Sequence, residues 1–413
     1  MTVETEIQPV NPYKPGAGHM PPHLAGRKQE YREFDRLLAQ DTILENLVLT
    51  GLRGVGKTVL LETLKPRALA AGWAWAGTDL SESVSVTETT LATRILTDLA
   101  VVTGGLILTK PSPPPTGFST ETPKGEQRPV GYGLLIEIFE QTPGLVADKL
   151  KAVLEFAHEA LVQSGNSGRV VFAYDEAQNL ADNAARDEYP LSVLLDVFQS
   201  IQRKGVPFML ALTGLPTLFP KLVDARTYAE RMFRIVMLDR LSEDESTEAI
   251  TEPVKDSRLK FTDYGVKQIT EEAGGYPYFI QFICREAYDI VMQRETDEIN
   301  SPIPFDAIQR KLDSDFFAGR WAKVTDRQRQ LLYVAASLNT SGSEFTVQEI
   351  VAQSKEILAK GFSSSHTNQV LGSLIDHGLV YKNRFGKYSF AVPLLDKFIL
   401  RNFDTASIAD SDG

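Results

Sequence analysis

The chain has 413 residues, of which 43% are hydrophobic and 23% charged, and its formal net charge is −11. These values predict two or three globular domains and exclude disordered and fibrous classes. The single cysteine excludes an internal disulfide and a cysteine-rich zinc site, which favours a reducing, cytoplasmic setting. The acidic balance opposes nonspecific binding to nucleic acid, although one basic face could still bind it.

No segment is typical of export or of membrane insertion. The N-terminus opens with Glu4 and Glu6, where a secretory signal would be basic and then apolar. The most apolar helical stretch, 91–108, is interrupted by Arg94 and Asp98. Spanning a bilayer takes roughly 18 uncharged residues, so we expect no membrane association.

Alternating strand and helix patterns predict an α/β fold with a parallel sheet and helices on both faces. The predicted strands are 46–50, 73–78, 169–174, 207–212 and 234–238. Their continuous apolar character is typical of strands buried on both faces. A proline-rich stretch near 109–131 predicts a mobile insertion between the second and third of these strands.

The sequence beyond the sheet becomes helical. Three capping-box signatures predict helix starts at Ser242, Thr325 and Thr346. An apolar helical stripe over 370–375, followed by strand-like segments around a turn, completes the element order of a winged helix. The predicted divisions are a tail (1–22), a parallel-sheet core (23–240), a helical lid (241–320), a winged-helix domain (321–403) and a second tail (404–413).

Residues 51–58 match the phosphate-loop pattern G-x-x-x-x-G-K-[ST], directly between an apolar strand and a helix. The glycines allow backbone N–H groups to surround a β-phosphate, while Lys57 neutralises β- and γ-phosphate charge. The Thr58 hydroxyl would ligate Mg²⁺. The predicted nucleotide-binding residues of the loop are Gly51, Arg53, Gly54, Val55, Gly56, Lys57 and Thr58.

Two acidic residues end the third predicted strand of the sheet. Asp175 is positioned to hold the Mg²⁺ of a bound nucleotide, and Glu176 could accept a proton from the attacking water. Thr213, at the end of the next strand, could position that water. Together with the phosphate loop, these residues predict an ATPase that uses ATP and Mg²⁺.

The motifs resemble those of the AAA+ and STAND group of P-loop ATPases, particularly bacterial members related to origin-recognition ATPases. The resemblance covers 24–403. Gly26 and Arg27 resemble the "G-R-x-x-E" box that lies near the adenine in that group. The segment 175–178 resembles the "D-E-A-Q" form of some transposition and secretion ATPases.

Further positions follow from that resemblance. Arg231 occupies the usual place of an arginine finger that completes a neighbouring subunit's site in a homo-oligomer, and Arg234 is its near rival. Where AAA+ proteins place a sensor arginine, 274–278 reads Gly-Gly-Tyr-Pro-Tyr. This segment instead resembles the "G-x-P" of STAND ATPases, whose proline contacts nucleotide from the lid, so Pro277 is expected to do so.

The C-terminal module has two interpretations. Its candidate recognition helix carries a polar run over 363–369 that can hydrogen-bond bases, and the turn carries Lys382, Arg384 and Lys387. A winged helix can also serve purely as a protein-packing element. We therefore expect an ATP-dependent switch, with a DNA-binding initiator or transposition regulator and a protein-binding signalling or defence switch as alternatives. A small-molecule kinase fits the acidic pair and the C-terminal tail poorly.

Overall fold

The fold is taken from a computed structural model of the chain. The structure describes residues 10–16, 18–80, 87–110, 126–257, 260–293, 303–338, 344–383 and 386–404. Most of the predicted insertion lies outside these ranges. So do Arg384 and the C-terminal tail after its first residue.

The chain forms two compact units. One contains Lys28–Thr50 and Leu60–Met237, and we call it the sheet unit. The other is assembled from Met1–Arg27, Gly51–Val59 and Leu238–Gly413, and we call it the lid unit. The phosphate loop therefore belongs to the same compact unit as the C-terminal half of the chain.

The sheet unit is built on a five-stranded sheet. Its strands are β1 (Asn46–Gly51), β2 (Ala74–Asp79), β5 (Val170–Asp175), β6 (Phe208–Gly214) and β7 (Phe233–Leu238). They lie in the order β2-β5-β6-β1-β7, and the three central pairings are parallel. The central strands β1, β5 and β6 are buried along their full lengths, which explains their uninterrupted apolar sequences. The predicted α/β parallel-sheet fold is confirmed.

One glycine permits the pairing of β2 with β5. Gly77 lies opposite Ala173, and a Cβ atom at this position would lie 1.8 Å from the Ala173 carbonyl oxygen. Its φ of 133° is also disfavoured for other residues. Any larger side chain would therefore push β2 away from the strand that carries the acidic pair.

The sheet unit contains most of the first eight helices. Their bounds are α1 (Lys28–Leu38), α2 (Lys57–Ala70), α3 (Glu88–Thr103), α4 (Tyr132–Gln141), α5 (Val146–Gln163), α6 (Pro190–Arg203), α7 (Leu218–Ala225) and α8 (Ala229–Met232). At the ends of the predicted insertion, β3 (Ile107–Lys110) and β4 (Glu126–Pro129) pair as an antiparallel hairpin. The proline content concealed these strands, because prolines are turn signals in sequence-based interpretation.

The lid unit is mainly helical. Its helices are α9 (Glu243–Thr251), α10 (Asp263–Ala273), α11 (Pro277–Gln293), α12 (Phe305–Leu312), α13 (Gly319–Trp321), α14 (Asp326–Ser337), α15 (Val347–Ile357), α16 (Ser364–Asp376) and α17 (Leu395–Asn402). The strands β8 (Val380–Lys382) and β9 (Tyr388–Phe390) form a hairpin after α16. All three predicted capping boxes are confirmed, at the starts of α9, α14 and α15.

Part of the segment predicted as an N-terminal tail is anchored. The Tyr13 ring is buried in the lid-unit core, and its hydroxyl donates a hydrogen bond to the Ile250 carbonyl. The Asn11 amide donates to the Asp289 carboxylate at 2.7 Å. Residues 10–16 thus contribute to the core, a contact that local sequence patterns do not reveal. Among the described residues, none of the helices has both the length and the apolar character needed to cross a bilayer.

Candidate nucleotide site

The phosphate loop follows β1 and leads directly into α2, which begins at Lys57. Gly54 and Gly56 have φ values of 77° and 90°, a left-handed conformation that glycine adopts without strain. These two glycines allow the chain to turn sharply between strand and helix. The predicted motif therefore forms a sharp strand-to-helix turn, as a phosphate loop is expected to do.

Lys57 is held at the loop itself. Its side chain is only 8% exposed, and its ammonium donates hydrogen bonds to the Gly51 and Leu52 carbonyls, each at 3.0 Å. These acceptors keep the charge at the base of the loop, where a phosphate could replace part of the carbonyl contact. The position suits the phosphate-neutralising role expected of Lys57.

Arg27 fixes the backbone of the loop from the N-terminal side. Its guanidinium Nη2 donates to the Val55 carbonyl at 2.7 Å and to the Asp239 carbonyl at 3.1 Å. Gly26 beside it has a φ of 70°, and a Cβ there would lie 2.6 Å from a carboxylate oxygen of Glu245. The resemblance placed these two residues near the adenine, and the structure additionally shows Arg27 bound to the loop.

The lid helix α11 contacts the loop at its first turn. Pro277 begins this helix, and the next residue, Tyr278, donates its backbone N–H to the Gly54 carbonyl at 3.2 Å. A Cβ at Gly54 would lie 3.2 Å from the Tyr278 Cβ. Pro277 is therefore placed beside the phosphate loop, as the predicted lid contact requires.

The acidic pair lies at the carboxyl end of β5 in the sheet unit. Asp175 is buried, and its Oδ1 accepts the Glu176 backbone N–H at 2.8 Å. Glu176 has a φ of 51°, an uncommon conformation for a residue other than glycine. Such strain concentrates at functional sites, and here it turns the Glu176 side chain away from the course of the strand.

Gln178 joins this acidic pair to the end of β6, a contact that sequence reasoning did not identify. Its side-chain amide donates to the Glu176 carboxylate, and its Oε1 accepts the Leu215 backbone N–H at 3.1 Å. Gly214 makes room for it, because a Cβ there would lie 2.5 Å from that oxygen. The D-E-A-Q resemblance included Gln178, but it could not indicate Leu215, which lies 37 residues further along the chain.

Thr213 lies on the same face of the sheet as Asp175. The parallel register pairs Tyr174 with Leu212, so the next pair along is Asp175 with Thr213. Thr213 is fully buried, and within the described residues its hydroxyl has no hydrogen-bond partner. Buried hydroxyls are normally satisfied, so this one is suited to binding a water or a ligand oxygen.

The two candidate finger arginines differ in their surroundings. Arg234 forms an ion pair with Glu33, with Nε 2.9 Å from the carboxylate, and the hydrogen bond that Arg234 donates to Glu33 raises the pKa of Arg234. The Arg231 side chain is exposed at the end of α8 and has no hydrogen bond or ion pair with any part of the chain that the structure describes. The structure does not join Arg231 to the acidic pair.

The sheet order, the glycine turn after β1 and the acidic end of β5 define a P-loop nucleoside-triphosphatase fold. Residues 23–223 match the family described as the AAA ATPase domain, and residues 314–399 match one described as a domain of unknown function (DUF8462). No curated protein matches the chain.

Solved structures show the same fold over nearly the full length. The Walker-type ATPase PABY2304 of Pyrococcus abyssi is 15% identical with a TM-score of 0.57, covering 91% of this chain and 96% of that one. The ADP form of the Aeropyrum pernix ORC2 protein is 16% identical with a TM-score of 0.52, covering 97% and 98%. At these identities the likeness establishes the fold alone.

Proposed function

We propose that this protein is an ATP-binding and ATP-hydrolysing switch whose nucleotide state is transmitted through the lid unit to the C-terminal module. The main observation that supports this proposal is that the phosphate loop belongs to the lid unit. Arg27 and Tyr278 bind the backbone carbonyls of Val55 and Gly54, so movement of the loop must alter these contacts. Nucleotide binding at the loop would thereby bias the arrangement of the lid helices.

The residues present fit Mg²⁺. Hydroxyl and carboxylate oxygens are the ligands that this ion prefers, and Thr58 and Asp175 supply one of each. Bound Mg²⁺ would neutralise phosphate charge. Glu176 would take the proton from the attacking water, and the Thr213 hydroxyl would accept or donate a hydrogen bond to the same water. The direct test is phosphate release from Mg²⁺-ATP compared with release in excess chelator; no turnover and no nucleotide binding would overturn the proposal.

Gln178 should orient the catalytic base. Gln178→Ala removes both the donor to Glu176 and the acceptor for Leu215, so we expect kcat to fall about 10-fold or more while the Kd for ATP stays unchanged. Single-turnover kinetics with calorimetry separate these two quantities. Gln141→Ala, on an exposed part of α4, is the matched control. An unchanged kcat in Gln178→Ala would show that Gln178 does not orient Glu176.

We propose that Arg231 acts in trans in an ATP-dependent homo-oligomer. Arg231→Ala should bind ATP normally but lose hydrolysis, by about 10³-fold if the finger stabilises transition-state charge. Mixing it with Glu176→Gln should recover partial activity, because some interfaces then pair an intact base with an intact finger. Arg203→Ala, an arginine at the end of α6, is the control. Turnover independent of protein concentration, or no recovery in proven mixed oligomers, would contradict the trans assignment.

The C-terminal module has the order three helices, hairpin, helix, which we interpret as a winged helix. Within the described residues both hairpin lysines have contacts inside the chain, since Lys387 pairs with Glu344 at 3.4 Å and Lys382 lies over the Tyr388 ring. This favours a protein partner, as in a signalling or defence switch. The exposed polar side chains of α16, among them Asn368 and Gln369, favour the DNA-binding alternative, which an ATP-dependent mobility shift would test. A cytoplasmic location belongs to the same proposal.

A further inference from the structure

A cavity of the lid unit is lined by one residue of the phosphate loop, Arg53. Its volume is about 160 Å³, and its walls include Arg53, Arg320, Lys323 and the turn at His377 and Gly378. Arg53 is the only loop residue among its walls, since none of residues 54–58 lines it. The structure therefore places Arg53, which the motif predicts to bind nucleotide, at the wall of this cavity.

The cations around this cavity have no anionic partner. Within the described ranges, no carboxylate lies within ion-pair distance of Arg53, Arg320 or Lys323. Arg320 donates a hydrogen bond to the Phe316 carbonyl, and its guanidinium lies 4.2 Å from the centre of the Phe316 ring. These contacts orient the guanidinium without neutralising its charge.

The pKa of Arg320 reflects this crowding of positive charge. Burial and, after it, the positive charge of Arg53 lower the pKa of Arg320. Two like charges held close together at a half-buried position repel, and an anion between them would relieve that repulsion. The absence of a side chain at Gly378 allows the Arg53 guanidinium to lie close to this turn. A Cβ at Gly378 would lie 3.1 Å from Nη2 of Arg53, and the φ of Gly378 is 65°.

We propose that this cavity is a second anion site that takes a small phosphate-type oxyanion, separate from the nucleotide at the phosphate loop. Guanidinium groups match the paired oxygens of such an anion, and the lysine ammonium adds a third positive charge. The bound anion joins Arg53 of the loop to Arg320 before α14 and to the turn after α16. Its occupancy therefore links the loop to the C-terminal module independently of ATP.

The test uses the full chain carrying Lys57→Ala, which removes the main phosphate-binding charge from the nucleotide site. Inorganic phosphate is titrated into this protein and followed by calorimetry and by thermal unfolding at constant ionic strength. We expect saturable binding with a rise in Tm. Adding Arg320→Gln, or separately Lys323→Gln, should weaken that binding about 10-fold or more. Lys360→Gln, an exposed lysine elsewhere in the lid unit, should leave it unchanged.

Three results would overturn the second site. These are no phosphate binding by the Lys57→Ala protein, binding insensitive to both Arg320→Gln and Lys323→Gln, or equal weakening by Lys360→Gln, which would indicate general charge screening. Failure here is distinguishable from failure of the proposed ATPase function, because ATP binding by the protein with an intact loop is measured separately.

Discussion

Lys57→Ala should lower the affinity for Mg²⁺-ATP by at least about 100-fold and eliminate measurable hydrolysis. The side chain is buried at the base of the phosphate loop, where its charge is held by two backbone carbonyls. A hydrogen bond to a charged group contributes about 1.5–3 kcal/mol, and the lysine would make more than one to the β- and γ-phosphates. Isothermal calorimetry with a nonhydrolysable ATP analogue measures the effect directly.

The control for this variant is Lys65→Ala. Lys65 is an exposed lysine on the same helix, α2, so its removal changes the net charge equally but should leave ATP affinity unaltered. Because Lys57 also binds loop carbonyls, the thermal unfolding of Lys57→Ala must be measured without nucleotide. Wild-type affinity in a folded Lys57→Ala protein would show that the loop does not bind phosphate.

Glu176→Gln should keep Mg²⁺-ATP binding within about 2-fold of wild type while slowing hydrolysis by about 10²–10⁴-fold, the contribution typical of a general base. The amide has nearly the same shape, and its oxygen can still accept the hydrogen bond from Gln178. Geometry is therefore preserved, and only the proton acceptor is lost. Rapid-quench measurement of bound ATP and released phosphate separates the two steps.

Glu159→Gln is the matched control, because it replaces an exposed carboxylate on α5 by an amide and leaves the sheet edge unchanged. A Glu176→Gln protein that retains wild-type turnover would exclude Glu176 as the base. Loss of ATP binding in the same variant would instead indicate that its carboxylate takes part in holding the nucleotide.

The strands and the phosphate loop were predictable because their signals are local. Each strand is a short apolar run, and the loop has a fixed glycine spacing between a strand and a helix, so a window of a few residues contains the information. The capping boxes at Ser242, Thr325 and Thr346 were predictable for the same reason, since both partners lie within three residues.

The contacts that sequence reasoning missed join distant segments. Gln178 binds Leu215, Arg27 binds Val55 and Tyr13 binds Ile250 across separations of 37, 28 and 237 residues. No periodicity links such pairs. The hairpin of β3 and β4 was missed because proline-rich sequence between its strands resembles an unstructured connection. Local patterns therefore predicted the strands and the turn that carry the candidate residues, but not the contacts that join these segments.

The lid unit consists of three chain segments that the ribosome synthesises at different times. The segment Gly51–Val59, which contains the phosphate loop, joins a unit whose remaining residues come mostly from Leu238 onward. While the ribosome is still translating the sheet unit, the loop has its sequence but not Asp239, Tyr278 or the turn at Gly378 that contact it. A nascent chain ending before Leu238 therefore carries the complete motif in an unsupported conformation. We therefore expect competence for nucleotide binding to arise late, once the residues that contact the loop have been translated.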